Sequence, residues 1–147
     1  MPEKETLERA HEDTLEGKSP STQAGEFVKE EMEHIREGKH GAASTKQAIA
    51  IGLSKARRAG VPLPPPKKGK SSEATREKAE RDVSRGRSST KKKTSAKRSR
   101  AISGVLKREG HRAASHSALS KQSRQSARTR GSAARKAAAK KAVRTKG

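Results

Sequence analysis

Cysteine, tryptophan and tyrosine do not occur in this 147-residue chain, and phenylalanine occurs once. Without cysteine there can be neither disulfides nor thiolate metal ligands, which fits a reducing compartment. Long apolar runs are also missing. The longest, AIAIGL, has six residues, against the roughly 20 that a membrane-spanning helix needs. The opening MPEKETLERAHED is acidic and lacks the basic-then-apolar order of a signal peptide. A soluble, cytoplasmic protein with no membrane partner is expected. Large apolar side chains are scarce: Val, Ile, Leu, Met and Phe number 18, and 22 alanines supply the rest of the 27% hydrophobic fraction. Val, Ile, Leu and Phe fall well under the ~20% below which a highly charged chain usually fails to bury enough surface to fold. The expectation is an all-α chain, largely disordered when free, with one small ordered part.

Charge is abundant and segregated. Residues 1–66 carry 10 Lys/Arg against 11 Asp/Glu, net −1, whereas residues 67–147 carry 27 against 5, net +22. A half this basic repels itself and calls for a polyanion. Net charge for solubility alone is usually in single digits, so polyanion binding is favoured over a merely solvated tail.

Four divisions follow: an acidic N-terminal helix over 1–19, a helical hairpin over 20–60, a proline-rich linker over 61–70 and a basic, low-complexity tail with helix-prone segments over 71–147. Gly17, Gly38, Gly60, Gly86, Gly110 and Gly131 recur at intervals of 21 to 26 residues and read as helix C-caps, where glycine takes the left-handed conformation at little cost. In the hairpin, Ser44 and Gln47 form an S-x-x-Q capping box. Ile49, Leu53 and Ala56 then follow at i, i+4 and i+7. The preceding segment repeats Val28, Met32 and Ile35 with the same spacing beside Phe27, and Pro20 suits a first turn. Phe27, Val28, Met32, Ile35, Ile49 and Leu53 are the expected packing seam. The seam is thin enough that self-association or a protein partner would help it. Pro62, Pro64, Pro65 and Pro66 then forbid helix and favour an extended spacer.

The candidate nucleic-acid contacts lie beyond that seam. They are Lys67, Lys68 and Lys70 after the prolines, then Lys91, Lys92, Lys93, Lys97, Arg98 and Arg100. Lys107, Arg108, Arg124, Arg128, Arg130, Arg135, Lys136, Lys140, Lys141 and Arg144 complete the set. On a helix Lys136, Lys140 and Arg144 make one stripe that can follow phosphates. The basic half has no aromatic ring on which bases can stack, a common device in single-strand and RNA-loop recognition. Double-stranded DNA, bound through its backbone without sequence preference, is therefore favoured. RNA or ribosome association is one alternative, and a protein-interaction module with a basic tether is another.

Catalysis has little basis. No Ser-His-Asp order, H-E-x-x-H, phosphate loop or dinucleotide fingerprint occurs, so neither an enzyme nor a small-molecule substrate or cofactor is expected. Glu30 and His34 stand at i, i+4 with His40 in the following GKHG loop. Two histidines without a further ligand at fixed spacing read as helix surface, with His40 serving the turn or a phosphate, so no metal is expected.

The span 26–60, EFVKEEMEHIREGKHGAASTKQAIAIGLSKARRAG, resembles a family of small, uncharacterised bacterial proteins. That family has a helix ending in GK-H-G, a variable turn, then KQAIAI-L-S-AR-AG. The matching residues here are Gly38, Lys39, His40, Gly41, Lys46 to Ile51, Leu53, Ser54, Ala56, Arg57, Ala59 and Gly60. The resemblance implies a bacterial source and carries no activity. The basic half is similar in composition to the tails of linker histones and bacterial histone-H1-like proteins, without their repeated Pro-Lys motif or a winged-helix domain. This likeness implies nucleoid-associated DNA condensation.

Overall fold

The fold is described from a computed structural model, which describes residues 2–88, 93 and 95–146, with side chains as far as Arg144. Within these residues all regular structure is helical: α1 (Lys4–Leu15), α2 (Pro20–Arg36), α3 (Thr45–Arg58), α4 (Glu73–Arg87), α5 (Ala96–Arg108), a 3-10 turn (Arg112–Ala114) and α6 (His116–Lys146).

The hairpin forms where the spacing places it. Ser19 caps α2 by accepting from the Thr22 N–H, and Pro20 occupies the first turn. Ser44 Oγ accepts from the Gln47 N–H at 3.1 Å, while Gln47 Oε1 accepts from the Ala43 N–H at 2.7 Å. The box thus closes on the residue before the cap. Gly38 (φ 78°) lets the chain leave α2, and the Lys39 N–H returns to the His34 carbonyl at 3.0 Å. Contacts across the seam run antiparallel. Phe27 clusters with Ala56, and Ile35 with Ala48. Between these ends, Gly52 packs directly on the Val28 backbone. Phe27, Met32 and Ile35 are buried, and Val28, Ile49 and Leu53 pack half-buried against them. Removing each large side chain from water contributes about 1.5–3 kcal/mol, so these residues hold the two helices together. Helix α1 joins by a face of small residues, Thr6, Ala10 and Asp13, at i, i+4 and i+7, and leaves Leu7 and Leu15 exposed.

The basic half departs from the expected disorder. Its described residues are mostly helical, and parts of it close the core. Ala113 and Ala114 lie in the same apolar cluster as Met32, Ile35, Ala42 and Ala48, with Leu119 packed alongside. Backbone bonds fasten this return: the Gly41 N–H donates to the Leu106 carbonyl at 2.8 Å and the Ala42 N–H to the Gly110 carbonyl at 3.1 Å. Thr45 Oγ1 donates to the Ala113 carbonyl at 2.7 Å, and Arg36 Nε to the Ala114 carbonyl at 3.0 Å. Counting large apolar residues overlooks this closure, because two alanines with satisfied backbone groups seal the cluster.

Helix α4 packs on α3 across the proline segment. Ala79 and Asp82 are buried there, and Ser54 Oγ donates to Asp82 Oδ2 at 2.6 Å. Gly86 is not a cap: it lies within α4, where an added Cβ would stand 2.0 Å from the Arg57 carbonyl oxygen. The prolines run without helix from Val61, held by Arg57, whose guanidinium donates to the Pro64 carbonyl at 3.2 Å and, at 3.4 Å, to that of Leu63. Burial pushes Arg57 below its ordinary value, partly opposed by Asp82. No helix among the described residues is long and apolar enough to cross a membrane.

Candidate nucleic-acid interface and a buried ionic cluster

Most of the expected cationic residues fall on two helices and one turn. Lys67, Lys68 and Lys70 are exposed around a turn that Gly69 (φ 85°) permits, closed by the Lys70 N–H on the Lys67 carbonyl at 3.0 Å. Lys91 and Lys92 lie outside the described residues, and Lys93 is exposed. Lys97, Arg98 and Arg100 occupy the N-terminal part of α5, with Lys107 and Arg108 in its last turn, all exposed. Cations suit the C-terminal end of the helix dipole and oppose the N-terminal end, so an anion near the start of α5 would relieve that end.

Helix α6 carries ten Lys/Arg and no Asp/Glu. It breaks at Gly131 (φ 79°, ψ 167°) into two helical pieces. On the first, Lys121, Arg124 and Arg128 recur at i, i+3 and i+7, beside Arg130. On the second, Lys136, Lys140 and Arg144 recur at i, i+4 and i+8, with Arg135 and Lys141 adjoining. All are exposed. The second piece, residues 132–146, is about 22 Å long at 1.5 Å per residue, the length of about six base pairs at 3.4 Å each. Among the described residues α5 and α6 do not pack on each other, so they offer separate basic surfaces. Leu119, in the first turn of α6, packs on the core.

A second cluster lies inside the acidic half, and the sequence pointed to only part of it. Glu30 and Glu31, neighbours on α2, are 2% and 1% exposed. Glu31 Oε1 pairs with Lys55 from α3, and Glu31 Oε2 is 3.1 Å from His40 Nε2. His40 serves the turn as expected, with Nδ1–H donating to the Gly41 carbonyl at 2.9 Å. Its other nitrogen faces Glu31. Glu30 Oε1 accepts from the Glu3 N–H at 2.6 Å and lies 4.0 Å from His34 Nε2, while Glu30 Oε2 is buried without a partner. His34 Nε2 meets Glu3 Oε1 at 2.9 Å, and Lys39 reaches the same oxygen at 3.2 Å. The His34 bond, with Lys39 second, holds Glu3 below its ordinary value, and Glu3 with Glu37 raises Lys39. The His34 and His40 rings meet edge to face, with centroids 6.0 Å apart. Spacing of Glu30 and His34 suggested a helix surface, but the loop after α2 folds His40 back over it. Glu31 was missed. The available signal was E-x-x-H at 31–34, which puts a carboxylate and an imidazole on one helical face.

No curated protein and no solved structure matches the chain. Residues 19–68, which span the hairpin and the proline segment and stop before α4, match the sequence model of a family of unknown function (DUF6496).

Proposed function

We propose that the protein binds double-stranded DNA without sequence preference and condenses it, as a nucleoid-associated protein, by neutralising phosphates along α5 and α6. The observation that carries this reading is α6: ten cations and no carboxylate in 31 residues, with Leu119 near its start packed on the folded core. A polyanion is the natural complement of such a helix. Backbone contacts position a protein on a duplex but carry no sequence information, and Lys/Arg interleaved with Ala and Ser supply little else. Residues 132–144 bury no side chain, so this helix rests on alanine propensity against repulsion between like charges on adjacent turns. Phosphates remove that repulsion, so duplex DNA should stabilise the α6 helix against unfolding. The mostly exposed acidic α1, on the far side of α2 from the basic half in sequence, disfavours spreading of the contact to the N-terminal region.

Competition among duplex DNA, duplex RNA and single-stranded DNA, all of random sequence, tests the reading on the full chain. Duplex DNA displacing both others, with the helical circular dichroism persisting to higher temperature in the complex, supports it. Preference for structured RNA transfers the function to RNA, and equal, weak binding of all three reduces α6 to a solvated extension.

A further inference from the structure

We propose that Glu31, His34 and His40, with Glu30, form a binding site for a divalent transition ion of the Zn2+ class. One donor atom from each of Glu31, His34 and His40 lies within 4.8 Å of the others. Two come from a single face of α2 and the third from the loop that Gly38 turns back over it.

Hydrogen bonding around His40 is the first argument. A carbonyl oxygen only accepts, so the Gly41 contact fixes a proton on His40 Nδ1. In the neutral ring Nε2 then carries a lone pair, and it faces Glu31 Oε2 at 3.1 Å. Two lone pairs at that distance repel, so the contact calls for positive charge between them, which either a proton on Nε2 or a metal ion shared by both atoms supplies. The spacing itself suits a shared ion: with bonds of about 2.0–2.1 Å, neighbouring ligands of a tetrahedral ion stand ~3.3 Å apart. A metal-bound histidine ordinarily donates its other N–H to a carbonyl or carboxylate, and His40 already does. Lys55 on the other Glu31 oxygen holds that carboxylate in place in the same manner.

Glu30 is the second, independent argument. Its Oε2 is buried with no hydrogen-bond partner, and the carboxylate is 2% exposed. An ionised group so placed is costly unless a cation compensates it. The nearest imidazole nitrogen, His34 Nε2, is 4.0 Å from Glu30 Oε1, and residue His34 belongs to both donor trios, Glu31–His34–His40 and Glu3–Glu30–His34. An ion beside His34 adds positive charge next to the buried Glu30 carboxylate and separates His40 from Glu31. The exposed Glu3 gives up its bond to His34 in exchange. Two imidazoles with carboxylates and no thiolate select a borderline ion such as Zn2+ over Ca2+ or Cu(I). The site ties the loop 37–44 to α2 and needs no nucleic acid, so it stands or falls apart from the DNA reading.

Zn2+ alone, titrated calorimetrically into chelator-treated full-length protein without nucleic acid, tests the proposal. The expected result is one saturable ion per chain at micromolar or tighter affinity, with Co2+ giving the visible absorption of a four-coordinate N/O site. His34→Gln and His40→Gln each weaken binding about 10-fold or more, whereas His11→Gln and His116→Gln on the exposed surface leave it unchanged. If the core variants do not fold, one equivalent of Zn2+ on the wild-type chain should protect His34 and His40, and no other histidine, from diethyl pyrocarbonate. Absence of saturable one-to-one binding, protection of other histidines only, or binding that His116→Gln abolishes would each overturn the assignment.

Discussion

Adding one methyl group at Gly52 and one at Gly25 should move stability in opposite directions. Both glycines lie within helices of the hairpin, α3 and α2. In an isolated helix interior, alanine is better than glycine by about 0.8–1.0 kcal/mol. A Cβ at Gly25 meets nothing within 4 Å, so Gly25→Ala should realise that gain. A Cβ at Gly52 would stand 2.7 Å from Val28 Cα and 3.0 Å from Val28 N. These are backbone atoms, which cannot rotate away. To reach ordinary contact the helices must part by roughly 0.7 Å, and a gap of 0.5–1 Å already forfeits a quarter to a half of each dispersion contact. Overpacking of this kind costs about 1–3 kcal/mol and acts along the whole seam, so it outweighs the propensity gain. The expected net loss for Gly52→Ala is about 0–2 kcal/mol, near 1 at the middle of that range. At about 4 °C per kcal/mol for a chain of this length, the two variants should melt roughly 8 °C apart, on opposite sides of the wild type. Thermal and urea unfolding followed by circular dichroism read this directly. Stabilisation by both substitutions would mean that α2 and α3 do not cross at Gly52.

Thr45→Val removes the donor to the Ala113 carbonyl and keeps the shape. Leaving a buried acceptor unpaired typically costs 1–3 kcal/mol, and an unchanged urea midpoint would show that the turn before α6 does not close the core. Lys18 is held above its ordinary value of 10.5 by hydrogen bonds to Asp13 and then Glu16. A raised folded value means that its contribution is complete below about pH 10.5 and is lost as the pH rises through the higher folded value. Lys18→Met should therefore lower the melting temperature equally at pH 7 and pH 9. A gap between wild type and variant that closes before pH 9 would refute the pairing.

Local signals of the hairpin were legible because they lie within one helix: the i, i+4, i+7 apolar spacing, Pro20 in the first turn of α2, the Ser44 cap and the glycines that end α2 and α3. The closure was not. Thr45 and Ala113 are 68 residues apart, and two alanines in a Lys/Ala/Ser-rich stretch look like their neighbours. Gly86 occurs at the rhythm of the capping glycines, yet close approach of the Arg57 carbonyl fills the space a side chain would take. Buried ions were hidden for a similar reason. On the sequence Glu30, Glu31 and Asp82 resemble the solvated acids beside them, and only partners from other elements, Lys55, His40 and Ser54, distinguish them. Cations on α6 were legible because exposure needs no partner.

The central claim is that duplex affinity comes from counterion release by the basic helices. Affinity of the full chain for a random duplex, measured from 50 to 300 mM salt, tests it most directly. With α6 engaging its ten cations, log K should fall against log salt with a slope near −9. Lys136→Gln, Lys140→Gln and Arg144→Gln combined should reduce the slope by about 3 on every sequence alike. A nearly flat slope, or tight binding confined to one duplex sequence, would contradict the account.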